Sequence, residues 1–442
     1  MEYRLYSADA IVPVTSPVIK GGAVLIRRSL TGEDSAWKVI YLGRWSDVVA
    51  EASCLAAQYD EIHIDGILTP GLVNAHSHLQ YSCMSSIGKS AYSGMEDWGA
   101  AFNEEYHSLS VDRDFDAWGA WAAEGARMLI ETGTTAVADI VTDWPAAGAL
   151  HDSRFKGICF YEAMNVTEDV WLNGFDAGLV EKLASIPKPP AAGVCPHAPY
   201  SVDMIPLRAL SELARKRGYR LHIHAGETPM EAGTDDPADV INTRHGFKTL
   251  DLLNLRRRGE GMSAVKLLDS MGFFGPDCHI AHGIYLDEVD RAILRDNKTA
   301  VALCPRSNAV IGLDEAPVRA YLEEGNLIAL GTDSLSSVTS LDLLDEAAAL
   351  TALARKQGYT FSDLYKRVFC AATFGGARAL GQHEGIGRIG MIEDGSAADF
   401  ACFDVPGTAG MEEPELYEAL VCSGPSVVAT IIDGERRFSK SL

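Results

Sequence analysis

The sequence predicts an α/β fold: a (β/α)8 TIM barrel with a small β-sandwich built from both chain termini. Three observations carry this reading. The 442-residue chain is β-rich at both ends and alternates strand-like with helix-like segments in between. Eight strand-like runs occupy that middle, the number that a closed βα barrel needs. Histidines and carboxylates gather where those runs end, and a barrel opens its reactive face at the C-terminal ends of its strands. A doubly wound open sheet is the runner-up.

In chain order, residues 1–67 read as the first part of the sandwich. "AVLIRR", "WKVIYLG" and "EIHIDG" are short β-rich runs separated by Gly, Asp and Ser. Residues 68–380 read as the barrel. Its strand-like runs are "GLVNAHSHL", "TTAVADIV", "KGICFYEAM", "AAGVCPHAPY", "YRLHIHAGE", "CHIAHGI", "TAVALCPRSN" and "NLIALGTDS". Apolar residues at helical spacing mark "FDAWGAWAAEGARMLIETG", "IPLRALSELARKRG", "YLDEVDRAILRDN" and "APVRAYLEEG" between them. The long polar insert 228–272 after the fifth run is expected to cap the barrel mouth. Residues 381–442, with "ADFACFDV" and "SVVATIIDGERRF", complete the sandwich.

Composition excludes several function classes. A net charge of −23 argues against nucleic acid or an anionic membrane as partner, since both need a basic footprint. It leaves a small-molecule substrate open, because charge within a cleft is set locally. Nine scattered cysteines without a C-x-x-C pair do not form a disulfide framework and fit a reducing compartment. "MEYRLYSADAIVPV" has no basic segment followed by an apolar stretch, so no signal peptide is expected. No run of about 20 apolar residues is present, so no membrane span is expected. The expected compartment is the cytoplasm. The sequence leaves the oligomeric state open, a homodimer being the commonest closed assembly.

His76 and His78 end the first run. Residues i and i+2 of a strand point the same way, so both imidazoles face the barrel interior. Taken alone, an H-x-H pair is a weak signal, because short histidine pairs also occur on surfaces. Here the fifth run adds His224 and the eighth adds Asp333. Three imidazoles and a carboxylate suit Zn²⁺ or Fe²⁺ with room left for water. His222 and His279 sit deeper along their strands and read as packed core histidines. His63, His107, His151, His245 and His383 lie away from the strand ends and read as structural or surface residues. Asp139 and Glu162 end the second and third runs with no chemical role assigned. "GIGRIG" (385–390) matches the dinucleotide-binding spacing, but no strand precedes it and no helix follows it, so nucleotide-cofactor binding is not expected there.

The motifs "PGLVNAHSHL" (70–79), "GTTAVAD" (133–139), "PHAPYS" (196–201), "HIHAGE" (222–227), "AHGIYL" (281–286), "CPRSN" (304–308), "GTDS" (331–334), "GARALG" (376–381) and "GMIEDGSAADF" (390–400) resemble the amidohydrolase superfamily, in its cyclic-deaminase and chlorohydrolase branch. The resemblance implies one divalent metal, Zn²⁺ first and Fe²⁺ second, bound by His76, His78, His224 and Asp333. Binuclear members place a carboxylated lysine at the end of the fourth strand. This chain has His197 there, which favours a single ion. A bound metal lowers the pKa of its water and so supplies a nucleophile near neutral pH. In the implied chemistry Asp333 takes the water proton, His282 holds and polarises the nucleophile, and Glu227 protonates the ring nitrogen.

"PHAPYS" with "HAGE" resembles deaminases of S-adenosylhomocysteine, methylthioadenosine and aminodeoxyfutalosine. The implied function is release of ammonia from an amino-purine, an adenine nucleoside first. Guanine, cytosine or pterin deamination and triazine-type dechlorination are the alternatives. The expected substrate-binding residues are His197, Gln80, Trp98, Glu105 and Arg306. His197 is expected near the ribose, and Glu105 resembles a ribose-binding glutamate of relatives. "CPRSN" stands where "NPxSN" is more common, and its Arg306 fits a substrate carboxylate, with a packing salt bridge as the competing reading. Gln80 and Trp98 bound a segment, "LQYSCMSSIGKSAYSGMEDW", that departs from the usual "LLRG".

Overall fold

The computed structural model describes residues 1–30, 35–55, 57–112, 116–233 and 261–440. The N-terminal strands are β1 (Glu2–Ile11), β2 (Ile19–Arg28), β3 (Lys38–Arg44) and β4 (Tyr59–Pro70). Eight barrel strands follow: β5 (Leu72–Ser77), β6 (Thr134–Val141), β7 (Lys156–Ala163), β8 (Ala191–Pro196), β9 (Arg220–Ala225), β10 (Cys278–His282), β11 (Ala300–Leu303) and β12 (Ile328–Leu330). The C-terminal strands are β13 (Phe400–Asp404), β14 (Ser426–Ile432) and β15 (Glu435–Ser439).

The terminal strands form one sheet in the order β15-β14-β13-β4-β1-β2-β3. The sheet curls back on itself. The Val39 amide donates to the Ser396 carbonyl at 2.9 Å, and the Gly434 amide to the Ala398 carbonyl at 2.8 Å. Tyr6, Val24, Ile26, Trp37, Phe400 and Ile431 are enclosed between the two halves. The two layers of the sandwich are therefore parts of one continuous sheet. The expected boundary at 67/68 falls inside β4, which runs on to Pro70. Only Gly71 separates β4 from the barrel strand β5, and a Cβ there would lie 2.0 Å from the Thr135 hydroxyl oxygen. A close approach, not a linker, joins the two units.

The eight barrel strands pair in chain order, all in parallel. β5, β6 and β10 are buried along their whole length, polar residues included, as parallel strands covered on both faces are. β12 returns to β5 through side chain and backbone together. Asn74 Nδ2 donates to Thr332 Oγ1 at 2.7 Å, Ser77 Oγ to the Asp333 carbonyl at 3.0 Å, and the Asp333 amide to the His76 carbonyl at 3.0 Å. A Cβ at Gly331 would meet His76 Cβ at 2.6 Å, so this closure needs glycine.

The expected helices are present at Ala117–Glu131, Met204–Arg217, Glu288–Asp296 and Val318–Glu324. Asp287 caps the third, accepting from the Asp290 amide at 2.8 Å. The central part of the insert expected to cap the mouth, 234–260, lies outside the described residues. Residues 385–390 form turns, with β13 the next strand and no helix directly after them. Among the described residues no helix is long and apolar enough to cross a membrane.

Candidate active site

The C-terminal ends of the barrel strands bring His76, His78, His224, His282 and Asp333 together. One ligand atom from each of His76, His78 and His224 lies within 4.8 Å of the other two, and the same holds for His76, His282 and Asp333. Asp333 Oδ1 stands 3.7 Å from His76 Nε2 and 3.8 Å from His78 Nε2. His78 Nε2 and His224 Nε2 are 3.3 Å apart.

A second hydrogen bond orients the rings of His76, His224 and His282. His224 Nδ1 donates to the His197 carbonyl at 2.8 Å, which leaves Nε2 a bare lone pair. His76 Nδ1 is hydrogen bonded to His222 Nε2 at 3.1 Å. His76 Nε2 is buried and has no protein partner. A buried polar atom without a partner is costly, and a metal ion is the partner this donor set suits. Burial drives His76 and His224 well below the usual histidine range, assisted by the neighbouring histidines. Burial also pushes His78 down to about 4, with Asp333 pulling the other way. Neutral imidazoles are the form that binds metal.

Asp333 and His282 are held in uncommon backbone. Their φ angles are +60° and +72°, a region that non-glycine residues rarely adopt and that clusters at functional sites. Ser307 and Ser337 hydroxyls both donate to Asp333 Oδ2, at 2.7 and 2.9 Å. The other oxygen, Oδ1, is the one turned to the histidines. His282 Nδ1 donates to Asn308 Oδ1 at 3.1 Å, and its Nε2 lies 3.4 Å from Glu227 Oε1. Burial raises the Glu227 carboxyl to about 7; His282 opposes the shift, and Asp333 and Glu231 add to it. Glu227 therefore holds a proton near neutrality, as a general acid must.

These groups face a cavity of about 1320 Å³, ample for a nucleoside. His78, His197, His224, Glu227, His282 and Asp333 line it. Trp98 also lines it, and its indole N–H donates to the Ser336 carbonyl at 2.9 Å, fixing the helix Met95–Asp112 over the mouth. His197 is half-buried, with Nδ1 bonded to Ser201 Oγ at 2.6 Å. His222 and His279 are fully buried below the cluster, His222 stacked on His76 with ring centroids 4.9 Å apart. Of the histidines set aside, His63 and His107 are exposed, His151 and His383 are half-buried, and His245 lies outside the described residues.

Three expected substrate residues do not line the cavity. Arg306 turns toward the helix Leu343–Lys356, 3.3 Å from Asp345 Oδ2 and 3.5 Å from Glu346 Oε1. Glu346 is fully buried and Asp345 lies beside it, so the packing salt bridge is the reading that the geometry favours. Gln80 follows His78 in a 3-10 turn that points its amide at the loop after β6. Gln80 Oε1 accepts from the Thr142 and Asp143 amides at 3.2 and 3.1 Å, and Nε2 donates to Asp143 Oδ2 at 3.1 Å. Glu105 lies past Asn103, the last residue of its helix to line the cavity.

Other site residues escaped the sequence reading. Ser307 and Asn308 belong to "CPRSN", where attention fell on Arg306. Ser337 follows "GTDS" by a turn and carries no motif signal. Glu231 is fully buried and accepts from the Gly226, Glu227 and Thr228 amides at 3.0, 2.9 and 2.9 Å, holding the loop that carries Glu227. Tyr200 hydrogen bonds the Glu227 carboxyl.

Comparison with known proteins bears on the family and the fold. A family model described as "Amidohydrolase family" matches residues 67–437. A 5-methylthioadenosine/S-adenosylhomocysteine deaminase of Thermococcus onnurineus is 29% identical over 392 residues, covering 84% of this chain and 82% of that protein. A 5'-deoxyadenosine deaminase of Methanosarcina mazei is 34% identical over 247 residues, 54% of this chain and 50% of that protein. The crystal structure of an adenosine deaminase from Xanthomonas campestris with bound zinc superposes with a TM-score of 0.78 at 21% identity, over 98% of this chain and 92% of that one. At that identity the superposition shows the shared fold. With the family model spanning most of its length, this chain belongs to the amidohydrolase family.

Proposed function

We propose that this protein is a metal-dependent aminohydrolase that releases ammonia from the purine ring of an adenine nucleoside. The carrying observation is the placement of Glu227. A carboxyl kept protonated to about pH 7 stands 3.4 Å from His282 Nε2, at the edge of a cluster of three neutral imidazoles and a carboxylate. His76, His78, His224 and Asp333 would hold one divalent ion, with zinc the first expectation. A divalent ion in such a set lowers the pKa of a bound water toward neutrality.

The chain's own residues supply the remaining steps. Asp333 accepts the proton of the attacking water on its inward oxygen, the other being held by two serine hydroxyls. His282, oriented by Asn308, positions that water at the ring carbon. Glu227 gives its proton to the adjacent ring nitrogen, and the exocyclic nitrogen leaves as ammonia after a further proton transfer. His197 and Trp98 stand where the rest of the nucleoside would lie. The names of the relatives from Thermococcus and Methanosarcina support an adenosine derivative as substrate.

The test is an ammonia-release screen with zinc-loaded protein over adenosine, 5′-deoxyadenosine, methylthioadenosine, aminodeoxyfutalosine, guanine, cytosine and aminopterins, with chloride release from a chlorotriazine alongside. The expected result is turnover confined to adenine nucleosides. Turnover only of a free base, a pterin or the triazine would replace this reading with the corresponding alternative.

A further inference from the structure

One buried carboxyl in the cavity wall has no part in these steps. Glu162, at the end of β7, lines the cavity and is only 3% exposed. One of its oxygens accepts from the Thr142 hydroxyl, which itself accepts from the Tyr81 hydroxyl at 3.1 Å. That chain locks the carboxyl in place. Its other oxygen, Oε1, is buried and has no protein partner. A Glu162 oxygen lies within 4.8 Å of ring nitrogens of His197 and His224. The trio is a poor second metal site, because His224 commits Nδ1 to a carbonyl and turns Nε2 to His78. What remains is a fixed, unpaired acceptor in the cavity wall.

The charge of the wall points the same way. Among the described residues that line the cavity, the carboxyl groups besides the proton-bearing Glu227 are Glu96, Asp97, Glu162 and Asp333, and no lining residue is lysine or arginine. Arg306, the cation expected there, is held elsewhere by Asp345 and Glu346. Among the described residues a carboxylate or phosphate on the substrate finds no lysine or arginine on this surface, whereas a hydroxyl or ammonium finds an acceptor without a partner.

We propose that Glu162 is a specificity-determining residue: it accepts a hydrogen bond from a hydroxyl or ammonium group on the non-reacting part of the substrate and, with the acidic wall, selects neutral or cationic nucleosides over anionic ones. This rests on the deaminase reading and narrows it, placing carboxylated adenosines among the poor substrates.

The test compares three nucleosides that differ only at the 5′ position: 5′-amino-5′-deoxyadenosine, adenosine and adenosine-5′-carboxylic acid. Ammonia release by the zinc-loaded wild type should show kcat/KM for the amine about tenfold or more above that for the carboxylate. Glu162→Gln keeps an acceptor for the Thr142 hydroxyl and should narrow that ratio about fivefold or more at an unchanged Tm. Equal use of amine and carboxylate by the wild type overturns the proposal without any variant. A variant whose activity falls equally on all three, leaving the ratio unchanged, shows a merely structural glutamate and overturns it too. Ammonia from none of the three overturns the deaminase reading itself, and this proposal with it.

Discussion

At the residue scale the account turns on protonation. In the proposed reaction Glu227 acts only while it carries its proton, and burial raises its pKa to about 7. Because the protonated form is the active one, kcat/KM is expected to be flat below that value and to fall about tenfold per pH unit above it. A rate that rises through neutrality would assign the acid role elsewhere. Glu227→Gln removes the transferable proton while keeping size and shape. It should lower kcat by about 10²–10⁴ with metal content unchanged. Retained turnover, measured as ammonia release against metal by elemental analysis, would take Glu227 out of the chemistry. The histidines invert the same physics. His76, His78 and His224 are driven below the usual range by burial, so they offer lone pairs rather than charge.

At the element scale the strands decide which residues meet. Period-two geometry turns His76 and His78 to one side of β5 and places His222 a layer below His224 on β9. That part of the site was legible in the sequence, because a buried strand leaves a side chain only two directions. The same periodicity separated ligand from core histidine. It does not extend into loops and turns. Gln80, two residues past His78, is rotated toward the loop after β6 by a 3-10 turn. Arg306 sits on the first turn of a short helix, where a buried glutamate of the helix Leu343–Lys356 draws it aside. Glu105 lies on a helix whose register over the cavity follows from the Trp98 contact with Ser336, a pairing distant in sequence. Ser307 meets Asp333 across 26 residues, a pairing set by tertiary contact, whereas the Glu231 cradle under Glu227 is a Thr-x-x-Glu capping box that the sequence does carry. Closure of the barrel adds a test. Gly331→Ala forces a methyl to within 2.6 Å of His76 Cβ, an overpacking expected to cost about 1–3 kcal/mol. Tm and zinc affinity should fall together, because the displaced residue is a proposed ligand. A variant with wild-type values of both would mean that β12 and β5 can part without disturbing the site.

At the scale of the whole molecule, two units share one purpose. The curled terminal sheet grips β4, the strand that leads straight into β5, at whose far end stand His76 and His78. The barrel collects groups from β5, β9, β10 and the β12 end into one cluster, and part of that cluster lacks a protein partner. Binding an ion there links to global stability, since a ligand held by the folded chain alone shifts the unfolding equilibrium. Zinc added to chelator-stripped protein is therefore expected to raise Tm, and His78→Ala should abolish most of that rise. A Tm indifferent to zinc in the wild type would separate the cluster from metal binding.

The central claim is that this cluster holds the ion on which nucleoside deamination depends. Its most direct test is a titration of chelator-stripped protein with Zn²⁺, reading ammonia release from adenosine or 5′-deoxyadenosine at each addition. Activity should be near zero at the start and reach a plateau at about one ion per chain. Full activity in the stripped protein, or no activity at any zinc level, would contradict it.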